Sequence, residues 1–105
     1  KHAGSRFLPG RLQELAKATG LSYKRVRIGN TTSRWGSYSS SGTLSLSASL
    51  MLLPEHLINF VILHELSHIV HPNHSADFHA LVNKLTGGNE KLLEAELKNH
   101  STWKV

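Results

Sequence analysis

The stretch PEHLINFVILHELSHIVHP, residues 54–72, decides how the rest of the chain is read. Pro54 suits the first turn of a helix, where its missing N–H costs nothing, and Pro72 stops one. Between them Leu57, Ile58, Phe60, Val61, Ile62, Leu63, Leu66, Ile69 and Val70 leave almost no polar face. A helix that is apolar nearly all round is central and buried. The pattern predicts this helix from Pro54 to about Val70 or His71.

Inside it stand His64, Glu65 and His68, in the order H-E-x-x-H. Histidines at i and i+4 lie on one helical face, one turn apart. Their ring nitrogens can converge on one ion at about 2.0–2.1 Å. Glu65 points to a neighbouring flank, where a carboxylate reaches a metal-activated water without filling a metal position. The expectation is zinc with three protein ligands and a water, and Glu65 as general base in hydrolysis. The plainer alternative is a pair of hydrogen-bonded core histidines with Glu65 neutralising one of them. The apolar setting weighs against it, because ionisable residues are rarely placed there without a partner.

Four positions compete for the third ligand. His71 shares the stripe of His64 and His68, but three ligands on one straight helix close poorly around a tetrahedral ion. His79 and Glu90 belong to later helices. His74 lies just past the break at Pro72, where the turning chain brings it back over the metal, and it is the preferred choice. These residues explain an uneven composition: five of the eight histidines in the 105-residue chain fall between His64 and His79. There is no cysteine, which excludes disulfides, thiolate catalysis and every Cys-ligated zinc or iron–sulfur site.

Working outward, residues 7–19 read as a first helix, with Leu8, Leu12, Leu15 and Ala16 at helical spacing, Pro9 in its first turn and Gly20 as the stop. Residues 22–29 read as a strand, 34–38 as a short strand, and 43–50 as a half-buried strand with Leu44, Leu46, Ala48 and Leu50 on one face. Ser75 caps a helix at 76–86, closed by Gly87 and Gly88. Asn89 caps a last helix at about 90–100, with Leu92, Leu93 and Leu97 as its apolar stripe. The result is one domain over residues 1–105, of α+β class, with a short, mostly antiparallel three-stranded sheet on the buried helix and two or three further helices. The C-terminal tail with Trp103 has two readings, core or a latency segment over the cleft.

Charge is unevenly divided. The first 52 residues carry eight Lys and Arg and a single acid, Glu14, while the remainder carries four and six. A basic half suits nucleic acid, phosphates or an acidic partner, or simply solubility. No stretch is long and apolar enough for a membrane span. The start lacks the apolar core of a signal peptide, and the absence of cysteine is compatible with a cytoplasmic protein.

His64-Glu65-Leu66-Ser67-His68, followed by His74-Ser75 and Phe78, resembles the YgjP-like metallopeptidase domain, which is related to SprT-like and WLM zinc peptidases. Arg34-Trp35-Gly36-Ser37-Tyr38-Ser39-Ser40 resembles that family's Arg-Trp-Gly-Ser-Cys-Ser-Ser segment. The likeness spans about residues 26–80. It implies a zincin-like fold, zinc on His64, His68 and His74, Glu65 as general base, and peptide-bond hydrolysis. Tyr38 stands where the family has cysteine, and His79 where it usually has an aromatic residue.

Arg34, Trp35 and Tyr38 are candidate substrate-binding residues. A strand edge beside the metal helix can add an extended peptide. Arg34 could orient a carbonyl or carboxylate or stabilise an oxyanion, and Tyr38 could donate to it; the plain readings are a core Trp35 and a paired Arg34. Asp77 is a candidate acceptor for a ligand histidine. Two other functions use the same features: a zinc hydrolase of nucleotide or phosphoanhydride substrates, with Arg25, Arg27 and Arg34 on phosphate, and a DNA-associated protease module. No glycine-rich phosphate cradle supports the first, and the aromatic supply for base stacking is thin.

Overall fold

The computed structural model describes residues 2–29 and 34–100. Helix α1 spans His2–Thr19, strand β1 Arg25–Gly29, strand β2 Gly36–Tyr38 and strand β3 Thr43–Ser47. A 3₁₀ turn follows over Ala48–Leu52, then α2 over Glu55–Ser67, α3 over Ala76–Leu85 and α4 over Glu90–Lys98. The class is α+β, as expected. The tail with Trp103 lies outside the described residues.

The sheet order is β1-β3-β2, and its sense corrects the expectation of a mostly antiparallel sheet. β1 pairs with β3 in parallel over five residue pairs, whereas β2 and β3 pair antiparallel over three. The physical reason lies in β3. It carries the cleanest alternation, with Leu44 and Leu46 buried, so it takes the centre and separates β1 from the strand that follows it in sequence. β3 also ends earlier than its pattern suggests. The Ser47 hydroxyl accepts from the Ser49 amide at 3.2 Å and turns the chain into the 3₁₀ segment, which sends Leu50 into the core.

α2 packs against the sheet and is flanked by α1, α3 and α4. From Leu57 on, all its residues except Asn59 are buried, as its all-apolar surface requires. Leu8 and Leu12 of α1, Leu44 and Leu46 of β3, Phe78 and Val82 of α3 and Leu97 of α4 join it in one core cluster. Each fully buried leucine contributes about 1.5–3 kcal/mol relative to an exposed one.

Three local expectations change. Pro9 sits inside α1 and not in its first turn, because the helix begins at His2. Leu92 is 72% exposed, so the buried stripe of α4 runs through Glu90, Leu93 and Leu97. Asn89 makes no side-chain cap; the Glu90 amide instead donates to the Asn83 side-chain oxygen at 3.2 Å. Ser75 does cap α3, accepting from the Phe78 amide at 3.3 Å.

Candidate metal centre

α2 ends at Ser67, three or four residues earlier than its apolar run suggests, and the way it ends shapes the site. The amides of His68, Ile69 and Val70 donate to the carbonyls of Glu65, Leu66 and Ser67, a tightened i→i+3 turn. This turn carries the His71 carbonyl to 3.1 Å from His68 Nδ1. A carbonyl only accepts, so Nδ1 bears the proton and Nε2 keeps its lone pair free. The acceptor that orients His68 is thus a backbone group that the sequence reading did not foresee. Asp77, the expected acceptor, is exposed and bonds to no histidine among the described residues.

Past Pro72 the chain doubles back. One nitrogen each from His64, His68 and His74 lies within 4.8 Å of the others, near enough to share one ion. Phe78, fully buried, fixes the three rings. It stacks on His68 at 4.5 Å and meets His64 and His74 edge-on at 4.9 Å each. The Ser75 cap at the start of α3 is what points Phe78 inward. Burial is graded across the triad: His64 is buried, His68 half-buried and His74 exposed.

Two of the remaining contenders are paired with each other. His79 Nδ1 lies 2.6 Å from a carboxylate oxygen of Glu90, and the two form a pair beside the triad. His71 contributes its carbonyl. His56, assigned no role from the sequence, pairs with Glu96 at 2.7 Å.

Glu65 is 1% exposed, and among the described residues neither carboxylate oxygen has a hydrogen-bond partner. Its nearest cationic candidate, His64 Nδ1, is 3.6 Å away, beyond hydrogen-bonding distance, and is itself unpartnered. A carboxylate buried without a partner costs several kcal/mol. Three convergent imidazoles beside an orphaned carboxylate are the donor set that a borderline-soft divalent cation satisfies. His74 is held below the ordinary value of 6.5, first by partial desolvation of its ring and then by His64, His68 and His79; Glu65 opposes this. Its outer edge is nevertheless exposed. A lowered value favours the neutral imidazole that a metal needs.

Gly36 explains how the sheet approaches this carboxylate. A Cβ there would lie 3.1 Å from Glu65 Cγ, 3.1 Å from the Ser45 carbonyl and 3.3 Å from Leu46. A side chain there would make its neighbours give way by a few tenths of an ångström. The signal was present in the Trp35-Gly36 step, but nothing local said which side chain it would meet. Trp35 is 4% exposed and belongs to the core, which leaves little of its ring for a substrate. Tyr38 is half-buried at the far end of β2 and packs on the core. Arg34 is exposed and lines a depression together with Arg27.

The YgjP-like metallopeptidase domain profile matches residues 1–100. The chain belongs to the YgjP-like metallopeptidase family. Two solved structures share the fold of this family member. The metallopeptidase zymogen of Pyrococcus abyssi abylysin is 22% identical with a TM-score of 0.80, over 93% of this chain and 98% of that one. The metallopeptidase zymogen of Methanocaldococcus jannaschii jannalysin is 21% identical with a TM-score of 0.75, over 89% and 95%. Among curated protein sequences no relative is found. As a YgjP-like domain the chain is a metallopeptidase, and its histidine triad is able to hold a metal. No helix among the described residues is long and apolar enough to cross a membrane.

Proposed function

We propose that this YgjP-like domain is a zinc peptidase whose metal sits on His64, His68 and His74 and whose general base is Glu65, acting on peptides or proteins in the cytoplasm, a location compatible with its cysteine-free chain. The observation that carries the reading is the buried Glu65 carboxylate, with both oxygens unpartnered, beside three convergent imidazoles.

Bound zinc would polarise the scissile carbonyl and lower the pKa of water toward about 7. The chain's own residues supply the rest. His68 holds its ring orientation through Nδ1–H on the His71 carbonyl. Phe78 keeps the three rings from turning away and excludes water from their inner side. A Glu65 carboxylate oxygen takes a proton from the attacking water and delivers it to the departing amine nitrogen.

Metal analysis of the purified protein tests the site, and hydrolysis of a quenched peptide library tests the activity. Zinc at one per chain, lost in His74→Ala and retained in Glu90→Ala, is the expected result. Glu65→Gln should keep the zinc and lose about 10²–10⁴-fold in peptide hydrolysis. Zinc retained in His74→Ala would refute the third ligand. Full activity in Glu65→Gln would refute the base.

A further inference from the structure

The sheet has a second face, turned away from α2, and it carries a depression of about 210 Å³. The strand register builds it. Arg27 pairs with Ser45, and Ser45 pairs with Ser37, so one row of side chains crosses all three strands on one face. Gly29 and Ser47 form the next row. Serines and glycine keep the floor low, and a Cβ built at Gly29 meets no atom of the described residues within 4 Å. Arg27 and Arg34, both exposed, form the walls.

The chemistry of this depression is one-sided. No acid lines it, and among the described residues neither arginine is ion-paired. The hydroxyls of Ser37 and Ser45 make no hydrogen bond among those residues either. Two guanidinium forks with adjacent hydroxyls bind an oxyanion, and the planar fork matches a carboxylate through two parallel bonds. The volume is below that of pockets taking drug-sized ligands and suits one acidic side chain.

Gly36 connects this face to the metal centre. It lines the depression, yet the Cβ it lacks would touch Glu65 on the other side. Glu65 and the depression therefore lie on opposite sides of one strand. β2 is an edge strand. A peptide added along that edge alternates its side chains between the faces. One side chain then turns to the face that carries Glu65 and the next to the face that carries Ser37 and the depression.

We propose that the Arg27–Arg34 depression is a carboxylate subsite that selects peptides bearing Asp or Glu beside the scissile bond. The proposal rests on the peptidase reading given above, so the test separates the two. Zinc-loaded Glu65→Gln protein, slowed about 10²–10⁴-fold, is titrated with blocked alanine hexapeptides carrying one Glu, Gln or Lys. The Nε–Hε signals of Arg27 and Arg34 and the amide signals of Ser37 and Ser45 are followed by NMR. The Glu peptide should bind at least about tenfold more tightly than the Gln peptide and shift these signals. The preference should vanish in Arg27→Gln/Arg34→Gln. It should vanish equally in Gly29→Leu, which fills the depression and leaves both arginines in place. Equal binding of Glu and Gln peptides, or a preference that survives both variants, overturns the proposal. So does inorganic phosphate saturating these signals where the Glu peptide does not, since the site would then serve phosphate. The active protein gives the second arm. Cleavage of Glu and Gln peptides at equal kcat/KM overturns the subsite and leaves the peptidase reading intact. Selective Glu-peptide binding without cleavage of any peptide overturns the peptidase reading and leaves the carboxylate site standing.

Discussion

The two faces of the small sheet use the same three strands for opposite physics. On the inner face Leu44, Leu46 and Gly36 press against α2, and Glu65 and His64 are buried there with the core. On the outer face Arg27, Ser37 and Ser45 stand in one row with open space beside them. The inner chemistry depends on shape and exclusion of water, the outer on charge and reach. Substitutions on the inner side should therefore change stability and metal binding together. Those on the outer side should leave the fold alone.

The largest effect is expected at Phe78. Phe78→Ala opens a cavity among the three imidazoles and should cost about 3–5 kcal/mol by chemical denaturation. Zinc affinity should fall with it, since the rings lose their common wall. Unchanged affinity would mean that the triad is held by its backbone alone. The two glycines give a sharper contrast. Gly36→Val forces a side chain between β2 and Glu65 and should cost about 1–3 kcal/mol. Gly29→Ala meets open space and should be neutral or stabilise by up to about 1 kcal/mol, by restricting the unfolded chain. Equal costs at the two positions would erase the distinction between the faces.

The smallest effect concerns pH. His74 has a lowered pKa in the folded protein, against 6.5 for the ordinary group. Between those two values the unfolded chain binds more protons, so the stability of the metal-free protein rises with pH. The contribution is complete above 6.5 and is lost as pH falls from 6.5 through the lowered folded value. Denaturation of metal-free protein at several pH values across this window should show the slope, and His74→Ala should flatten it.

How much of this was legible depends on the range of the interaction involved. His64, Glu65 and His68 are set by helical spacing within a single turn, and the Ser75 cap by spacing within four residues. The sequence states such relations directly. The return of His74 past Pro72 was readable because a proline break is also local. The parallel pairing of β1 with β3 was not, since it depends on which strand wins the centre of the sheet, a choice made through burial against α2. Gly36 was visible as a residue, but its partner Glu65 lies 29 positions away.

The His71 carbonyl has a consequence of its own. The atom that sets the tautomer of His68 belongs to the main chain, so any residue able to make the same turn would supply it. A scan replacing side chains one by one would find position 71 dispensable and overlook its contribution. Part of this centre is inherited through the path of the chain and is invisible to the alphabet of side chains. A designer transplanting the three histidines would have to copy the turn as well.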